Sequence, residues 1–362
     1  MARRSYTVGI VGLGFGRAHI PAFQANGCQV IAVCQRDRAA AQAVATRYQV
    51  PQVFERWEEM IERARPEIVV VATPPVLHQA IATAAFVAGA HVLCEKPFAM
   101  SVAEGRAIVE AASRAGRIGM TSFNWRFISA MQRFNAIAAE SVGRPFHVDG
   151  HWQGGRSADP STPATWRLDR AMAGHGAMGD AGVHLIDLVR WNFGEFTRVC
   201  AQAGIANPSR PVLGGDKPTD AEDFCAVLGE LASGAQVTLR VSRAARGRNE
   251  HGLDAYGTAG AVMYRVDRAQ PRWYRGELSV ASGGGSFERV KVPAGLPRSA
   301  GEGDAMEVVG KTTIAPLVKR LLGAIRKGEP ASPSFEDGLR SQAVLDAVLE
   351  SETRGGWVSV AS

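Results

Sequence analysis

Short apolar segments alternate with segments of helical character over roughly the first 120 residues. The apolar segments are rich in β-branched residues, and the core of one, Ile68–Val71, is apolar throughout, as a strand buried on both faces must be. The predicted strands are YTVGIVG, QVIAVCQ, EIVVVAT and AHVLCE, and the predicted helices include RAAAQAVATRY and VLHQAIATAAFVAG. This alternation is typical of α/β proteins with a doubly wound parallel sheet. We place that domain at residues 1–122.

After Phe123, apolar and polar residues alternate one by one, and glycine turns separate the segments. A period of two predicts half-buried strands, and ELASGAQ between two of them predicts a hairpin. We therefore expect residues 123–362 to form an α/β domain with an open, predominantly antiparallel sheet. The last helix, at about residues 336–354, is expected to pack back on the first domain. An open sheet face has to be covered, which predicts a dimer or tetramer.

The composition is that of an ordinary globular protein, with 46% hydrophobic and 21% charged residues. The net charge is +6, but the basic residues are scattered among 35 acidic ones. The densest basic patch contains Arg240, Arg243, Arg246 and Arg248. We interpret it as a solvated loop in preference to an anion or nucleic-acid surface, because no zinc-finger, basic-zipper or RNA-binding pattern accompanies it. No nucleic-acid partner is expected.

The cysteines and the length of the apolar segments indicate in which cellular compartment the protein is expected. The five cysteines are odd in number and form no C-x-x-C pair, which favours reduced thiols in the cytoplasm. No apolar segment approaches the roughly 18 residues that span a bilayer, so no membrane partner is expected. Arg3-Arg4 could belong to a twin-arginine export signal. The apolar part that follows is short and leads into a glycine turn, so we expect a cytoplasmic protein.

That glycine turn follows the first predicted strand and precedes a helical stretch. It contains Gly12, Gly14, Phe15 and Gly16. The first glycine permits a tight turn, and the second lets the backbone approach a pyrophosphate, which amide groups at the helix start would bind. At the start of a βαβ unit the pattern predicts a Rossmann domain that binds a dinucleotide. Arg17 departs from it, because glycine or alanine is usual at that position.

The end of the second strand bears on the choice of dinucleotide. Sites for NAD usually have Asp or Glu there to accept hydrogen bonds from the ribose 2′-hydroxyl, whereas this chain has Gln35 and then Arg36. A guanidinium can bind a 2′-phosphate, so NADP is favoured. NAD remains open if Arg36 points into solvent and Gln35 binds the plain ribose. Asp37 is predicted to cap the following helix.

The fourth predicted strand ends in Glu95-Lys96-Pro97. Charges are costly in a core, so this ending predicts a strand tip that opens onto a cavity. In parallel sheets of this kind, ligands bind at the carboxyl ends of the strands. Glu95 and Lys96 are therefore candidates to face a ligand.

A second set of candidate catalytic or ligand-binding residues lies in GDAGVHLID, where Asp180, His184 and Asp187 share one face of a predicted helix. Asp180 and His184 could be metal ligands, a buried pair that holds two helices together, or groups that meet a ligand at a helix N-terminus. Zinc usually has three protein ligands, and neither H-E-x-x-H nor a cysteine pair accompanies these residues. No metal is predicted.

Together these motifs resemble one family. The glycine turn, ATPPVLHQA, AGAHVLCEKPFA, SFNWRF, WRLD and GDAGVHLIDLVRWNFGE occur in the order and spacing of the glucose–fructose oxidoreductase and inositol dehydrogenase (Gfo/Idh/MocA) family. The resemblance covers nearly the whole chain, and E-K-P combined with D-x-x-x-H is its most specific part. It implies an NAD(P)-dependent oxidoreductase that transfers hydride between the nicotinamide and a hydroxyl or carbonyl carbon of a sugar, cyclitol or sugar derivative.

The resemblance also implies roles for individual residues. His184 would act as the general base, Lys96 would hydrogen-bond the reacting oxygen, and Asp180 would orient the substrate or the imidazole. The implied cofactor residues are Gly12, Gly14, Phe15, Gly16, Gln35, Arg36, Thr73, Pro74, His78, Glu95 and Lys96, and the implied substrate residues are Asn124, Arg126, Trp166 and Arg167. For His78 a position on the helix surface is the alternative, and His19 is interpreted as a helix-face residue behind the glycine turn.

Two other functions stay open. A glycoside hydrolase that retains its nicotinamide and cleaves by transient oxidation would share the Rossmann core. A non-catalytic dinucleotide sensor would share it as well. The set of Lys96, Asp180 and His184 argues against a sensor, because a sensor needs no acid–base group beside a nicotinamide.

Overall fold

The computed structural model of this protein describes residues 5–293, 301 and 303–361, so Arg3 and Arg4 lie outside the described residues. The chain forms two compact units. The first contains Met1–Phe127 and Leu296–Leu339, and the second contains Ile128–Gly295 and Arg340–Ser362.

A sheet of six parallel strands organises the first unit, in the order β3-β2-β1-β4-β5-β6. This order confirms the predicted doubly wound sheet. The strands are β1 (Thr7–Val11), β2 (Gln29–Cys34), β3 (Gln52–Phe54), β4 (Ile68–Val71), β5 (His91–Cys94) and β6 (Gly119–Thr121), and the helices between them are α1 (His19–Ala25), α2 (Arg38–Tyr48), α3 (Trp57–Ala64), α4 (His78–Val87) and α5 (Val102–Ala115).

Strand β4 has no solvent-exposed residue, because both faces of the sheet are covered. Ile68 and Val70 belong to the apolar cluster on one face, and Val69 and Val71 belong to the cluster on the other. Burying an aliphatic side chain of this size contributes about 1.5–3 kcal/mol. The continuous apolar segment seen in the sequence therefore reflects two cores that share one strand.

Three segments near the end of the chain extend the first unit: α9 (Ala305–Val309), α10 (Ala315–Lys327) and the start of α11 (Phe335–Arg354). Leu317 and Leu321 of α10 join the cluster that contains Phe23 of α1. The predicted division at residues 122 and 123 placed these segments in the second domain. The compact units divide differently, because the apolar side of α10 is buried among first-unit residues that are far away in sequence.

The last helix runs over 20 residues, close to the range predicted for it. Phe335, at its start, packs on Phe98 and Phe86 with ring centroids 4.7 and 5.9 Å apart. Its residues up to Leu339 belong to the first unit, and those from Arg340 onward belong to the second.

A nine-stranded sheet organises the second unit, in the order β16-β15-β14-β13-β7-β12-β11-β8-β17. Within the described strands of this sheet, only the neighbours β7 and β12 pair in parallel, so the predicted predominantly antiparallel sheet is confirmed. Its strands are β7 (Pro145–Gly154), β8 (Phe196–Gly204), β11 (Phe224–Leu231), β12 (Gln236–Ser242), β13 (Asn249–Gly257), β14 (Gly260–Asp267), β15 (Glu277–Ser282), β16 (Glu288–Arg289) and β17 (Val358–Ser359), while β9 (Ser209–Val212) and β10 (Gly215–Pro218) form a separate hairpin.

The helices of the second unit, besides the last one, are α6 (Ser129–Val142), α7 (Arg170–Ala173) and α8 (Val183–Phe193). A π-helical turn, Met178–Gly182, leads directly into α8. This turn is the segment that carries Asp180.

Candidate functional site

The glycine turn of the first unit lies against the end of β4. Gly12 has a φ of +89°, and a Cβ atom there would lie 2.5 Å from the carbonyl oxygen of Ala72, so no other residue fits. A Cβ on Gly16 would lie 3.0 Å from the Cβ of Ala72. In contrast, a Cβ on Gly14 would meet no atom within 4 Å. The turn is therefore tight on its inner side and open at Gly14, which fits the approach of a pyrophosphate.

The guanidinium of Arg36, at the end of β2, is exposed to a possible ligand. Arg36 is exposed and has no hydrogen bond or ion pair with another residue that the structure describes. Asp37 caps α2 as predicted, because its carboxylate accepts a hydrogen bond of 3.0 Å from the backbone N–H of Ala40. Gln35 is half-buried. Among these three residues, Arg36 is the one with a charge still available to a ligand.

His78 is a correction to the predicted cofactor residues. It has no exposed surface, and its ring nitrogens lie 3.2 Å from the carbonyl oxygen of Phe98 and 3.0 Å from that of Thr73. Burial lowers the pKa of His78, so the ring is neutral. Because a side chain without accessible surface cannot contact a cofactor, His78 acts on the site only by holding the Thr73 segment in place.

Thr73 and Pro74 themselves follow the end of β4, beside the glycine turn, and both are half-buried. The backbone N–H of Ala72 donates to the carbonyl of Val11, at 2.8 Å, which ties this segment to β1. Their predicted contact with the cofactor stays a prediction.

Glu95, at the end of β5, forms a buried pair with His19. The Nε2 atom of His19 lies 2.8 Å from Oε1 of Glu95, and the backbone N–H of Lys96 donates to Oε2 at 3.3 Å. Burial by itself would raise the pKa of Glu95, but the hydrogen bond and charge of His19 and the charge of Lys96 outweigh it, so the pKa lies below its ordinary value. Glu95 is therefore an anion that anchors the backbone of Lys96, and its predicted contact with the cofactor stays a prediction.

Phe15 of the glycine turn contacts the same pair. Its ring meets that of His19 edge-on, with the centroids 6.2 Å apart. The turn, His19 and the end of β5 thus form one connected structure at the carboxyl ends of β1 and β5.

Asn124 and Arg126 are corrections to the predicted substrate residues. The amide of Asn124 donates a hydrogen bond of 2.7 Å to the hydroxyl of Thr313, and both residues are buried. The guanidinium of Arg126, almost fully buried, lies 3.2 Å from a carboxylate oxygen of Asp337. Both side chains hold the later segments of the first unit in place, so neither is available to a substrate.

In the second unit, Glu222 fixes the start of the turn that carries Asp180. Its carboxylate accepts hydrogen bonds from the backbone N–H groups of Gly176 and Met178, at 2.8 and 3.0 Å. A Cβ on Gly176 would lie 2.0 Å from the carbonyl oxygen of Glu222, so glycine is required for this close approach. Gly176 lies just before the π-helical turn that leads into α8.

Asp180 is surrounded by guanidinium groups. Its side chain is 26% exposed and lies 3.2 Å from Nη2 of Arg156 and 3.6 Å from Nε of Arg167. Arg167 in turn stacks over the ring of Trp166, 4.3 Å from its centroid. The predicted residues Trp166, Arg167 and Asp180 are therefore brought together, with Arg156 added to them.

His184 lies one turn after Asp180 and is almost fully buried. It stacks on Trp152, with ring centroids 5.6 Å apart, and Trp152 also stacks on His251 at 4.1 Å. His251 contacts the hydroxyl of Tyr264 at 3.0 Å, and burial holds the pKa of His251 well below its ordinary range. The neutral His251 and the indole give His184 a fixed aromatic support.

Lys96 belongs to the first unit, whereas Asp180 and His184 belong to the second. The joint action of these three residues remains a prediction. Among the described residues, no group of three or more histidine, cysteine, aspartate or glutamate side chains could hold a metal ion. None of the described helices combines the length and the apolar character that crossing a membrane requires.

Sequence patterns did not indicate the structural roles of several residues in the two units. His19 was interpreted as a helix-face residue, although a buried Glu95 requires a partner and histidine is a suitable one. Trp152 and Arg268 carry no local pattern. Arg243 was placed in a solvated loop, but it is buried and donates to the carbonyl oxygens of Arg167 and Glu222 at 3.2 and 2.8 Å.

Comparison with known proteins identifies the family. Residues 6–123 match the model of the GFO/IDH/MocA oxidoreductase family with its NAD-binding Rossmann fold, and residues 134–263 match the GFO/IDH/MocA C-terminal domain. Levoglucosan dehydrogenase of Pseudarthrobacter phenanthrenivorans is 31% identical, with 99% of this chain and 98% of that protein covered. Inositol 2-dehydrogenase 1 of Saccharopolyspora erythraea is 28% identical, with 98% and 96% covered.

Solved structures agree with this assignment. A levoglucosan dehydrogenase in complex with NADH has a TM-score of 0.89 and 28% identity, over 99% of this chain and all of that one. Another complex of the same enzyme, with NADH and levoglucosan, has a TM-score of 0.88 and 29% identity, over 99% of this chain and 100% of that one. The glycine turn, the E-K-P strand end and the D-x-x-x-H helix lie in a fold shared over the whole chain, and the protein therefore belongs to the Gfo/Idh/MocA family of nicotinamide-dependent oxidoreductases.

Proposed function

We propose that this protein is a dehydrogenase or reductase that transfers hydride between a nicotinamide and a CH–OH or carbonyl carbon of a sugar, cyclitol or sugar derivative. The observation that carries the proposal is the glycine turn, open at Gly14, beside the strand end that holds Lys96. A dinucleotide site next to a lysine is the arrangement that polarisation of a reacting oxygen requires. Two relatives, a levoglucosan dehydrogenase and an inositol dehydrogenase, support the substrate class.

We propose Lys96, Asp180 and His184 as the residues that act on the substrate. When bound, the nicotinamide supplies or accepts the hydride. His184 would take the hydroxyl proton during oxidation and return it during reduction, and its stacking on Trp152 would hold the ring in a fixed plane. Lys96 would donate a hydrogen bond to the reacting oxygen. Glu95 would help to position it, because its carboxylate accepts a hydrogen bond from the backbone N–H of Lys96.

The finer cofactor preference that we propose is NADP. Support comes from Arg36, which is exposed and uncommitted, and from Asp37, whose carboxylate is occupied as a helix cap and therefore does not take the place of the usual ribose ligand. A guanidinium in this place can pair with a 2′-phosphate, whereas Gln35 alone would serve NAD.

The test is titration of the purified protein with NADPH and NADH, followed through nicotinamide fluorescence. We expect NADPH to bind more tightly, and Arg36→Ala to lose about tenfold in NADPH affinity, the equivalent of one charged hydrogen bond, while NADH affinity is unchanged. Arg38→Ala is the matched control, because that neighbouring guanidinium is already paired with Glu55 at 3.4 Å. Equal loss in both variants, or tighter NADH binding, would contradict the NADP preference.

An absorbance screen at the nicotinamide band with sugars and cyclitols then tests the reaction. Reduction or oxidation that depends on a polyhydroxylated substrate is expected. Glycosidic cleavage without net cofactor turnover, together with nicotinamide released only on denaturation, would instead identify the retained-cofactor hydrolase.

We also propose that the protein is cytoplasmic and self-associates as a dimer or tetramer. The sheet of the second unit supports the second point, because Phe224 and Leu228 on β11 are each 43% exposed. Light scattering over a range of protein concentrations tests it, and a monomer at every concentration would contradict it.

A further inference from the structure

One carboxylate in the second unit lies within ion-pair distance of two guanidiniums and acts electrostatically on two more. Asp180 lies within ion-pair distance of Arg156 and Arg167, and it also stabilises the charges of Arg243 and Arg268. The two contacts involve different oxygens, since Oδ2 faces Arg156 and Oδ1 faces Arg167.

Arg243 is explained by the fold. It is buried, it donates hydrogen bonds to two backbone carbonyls, and its Nη2 lies 3.8 Å from a carboxylate oxygen of Asp223. Three guanidiniums then remain around Asp180: those of Arg156, Arg167 and Arg268. Asp180 is the carboxylate that these three guanidiniums share.

Of the three guanidiniums, that of Arg268 costs the most free energy to keep charged. It is mostly buried, and burial lowers its pKa to about 10, with Asp180 acting in the opposite direction and Arg156 adding repulsion. Its guanidinium lies over the ring of Trp152, 5.0 Å from the centroid. Buried positive charge is stabilised when an anion comes close, so a ligand with negative charge would be favoured here.

The cluster is both accessible and close to the proposed base. The side chain of Arg156 is 65% exposed and that of Arg167 is 28% exposed, so guanidinium N–H groups beyond those facing Asp180 can reach a ligand. Trp152, which lies under Arg268, also stacks on His184. A substrate whose carbinol meets His184 would therefore place a neighbouring substituent near the guanidiniums.

We propose that the substrate of this protein is an anionic sugar or cyclitol derivative, whose oxyanion, a carboxylate or a phosphate, binds to Arg156, Arg167 and Arg268. The inference rests on the proposed function of the same site and adds the charge of the substrate to it. Arginine suits this role because its planar fork of donors matches the oxygens of carboxylate and phosphate. Arg243, from the densest basic stretch of the sequence, is not part of this binding set, because its guanidinium is held by backbone carbonyls and Asp223.

Binding can be measured without turnover, because Trp152 and Trp166 contact the cluster and report on it through intrinsic fluorescence. The probes are matched sets that differ only in charge: D-glucose, D-glucuronate and D-glucose 6-phosphate, the corresponding galactose and mannose sets, and myo-inositol with its monophosphate. We expect at least one anionic member to bind about tenfold more tightly than its neutral counterpart, and this preference to shrink as salt rises from low to high concentration. The carboxylate and phosphate members identify which oxyanion the site takes.

Arg156→Gln and Arg167→Gln are expected to reduce the ratio of anionic to neutral affinity by about fivefold or more each. Arg240→Gln, an exposed arginine on β12 outside the cluster, is the matched control and should leave that ratio unchanged. Thermal unfolding of each variant checks that the fold is retained, and the exposed position of Arg156 makes its variant the safer one.

Equal binding of neutral and anionic members, binding of neutral members alone, or binding of no anionic member would overturn the proposal. An equal loss in Arg240→Gln would overturn it as well. Nicotinamide absorbance, recorded with the same panel, separates the two claims. Anion binding without nicotinamide turnover would remove the proposed reaction but keep the anion site, whereas turnover of neutral sugars alone would do the opposite.

Discussion

The imidazole of His19 and the carboxylate of Glu95 meet at 2.8 Å, with side-chain exposures of 0% and 7%. One residue begins α1 behind the glycine turn, and the other ends β5 next to Lys96. This pair links the proposed pyrophosphate loop to the proposed catalytic lysine, so its loss is expected to affect both stability and function.

Glu95→Ala is expected to destabilise the protein by about 3 kcal/mol or more, because it leaves His19 buried without its acceptor. Glu95→Gln keeps a hydrogen-bonding oxygen and is expected to cost less. Urea unfolding followed by circular dichroism measures both. Glu62→Ala, on the exposed side of α3, is the control and should cost less than about 0.5 kcal/mol. A cost for Glu95→Ala no larger than for this control would contradict the structural role of the pair.

The same carboxylate is expected to make stability depend on pH. Because the pKa of Glu95 in the folded protein lies below its ordinary value of 4.5, its ionised form stabilises the fold fully above that value and loses this contribution as the pH falls through the folded pKa. The stability difference between the wild type and Glu95→Gln should therefore be constant near neutral pH and shrink in the acid range. Unfolding midpoints between neutral and acid pH test this, and a gap that widens in acid would refute it.

Alanine substitutions at Gly12 and Gly14 are expected to separate an effect on folding from an effect on dinucleotide binding. Gly12→Ala is expected to be strongly destabilising, since its positive φ and the nearby carbonyl of Ala72 both exclude a Cβ. Gly14→Ala has room for its methyl group, so it should fold normally and weaken dinucleotide binding by occupying the space that a pyrophosphate would use. Thermal unfolding and nicotinamide fluorescence measure the two effects. Unchanged nucleotide affinity in Gly14→Ala would argue against a pyrophosphate at that position.

His184→Asn is expected to lower kcat by about 10²–10⁴-fold, which is the usual contribution of a general base. Dinucleotide affinity should be preserved, because His184 belongs to the second unit and the glycine turn to the first. Steady-state kinetics and nicotinamide titration check these expectations. His147→Asn is the control, since this half-exposed histidine lies beside Asp149 at 3.7 Å and outside the proposed site. A drop in kcat of similar size in the control would show that the effect is not specific to His184.

Local patterns predicted the parts of the fold that local chemistry determines. Short segments were enough to predict the apolar core of β4 and the cap at Asp37. Strands β3 and β6 were missed, because three residues are too few to show a period.

The remaining differences come from contacts between residues that are distant in sequence. Nothing near His78 indicated that two backbone carbonyls would enclose its ring, and nothing near Arg126 indicated its pairing with Asp337. The same is true of α10, whose burial depends on Phe23 almost 300 residues earlier. For the candidate site, short sequence patterns therefore could not indicate which of the named side chains are buried, because their partners lie far away in the chain.

The division of β4 between two apolar clusters has a consequence for how the first unit opens. Ile68 and Val70 support one layer while Val69 and Val71 support the other, so neither layer can separate from the sheet without exposing part of the same strand. The backbone amides of β4 should then exchange their hydrogens with solvent only when the whole unit unfolds. Under native conditions they would be the slowest amides of this unit, and their exchange rate would measure its global stability.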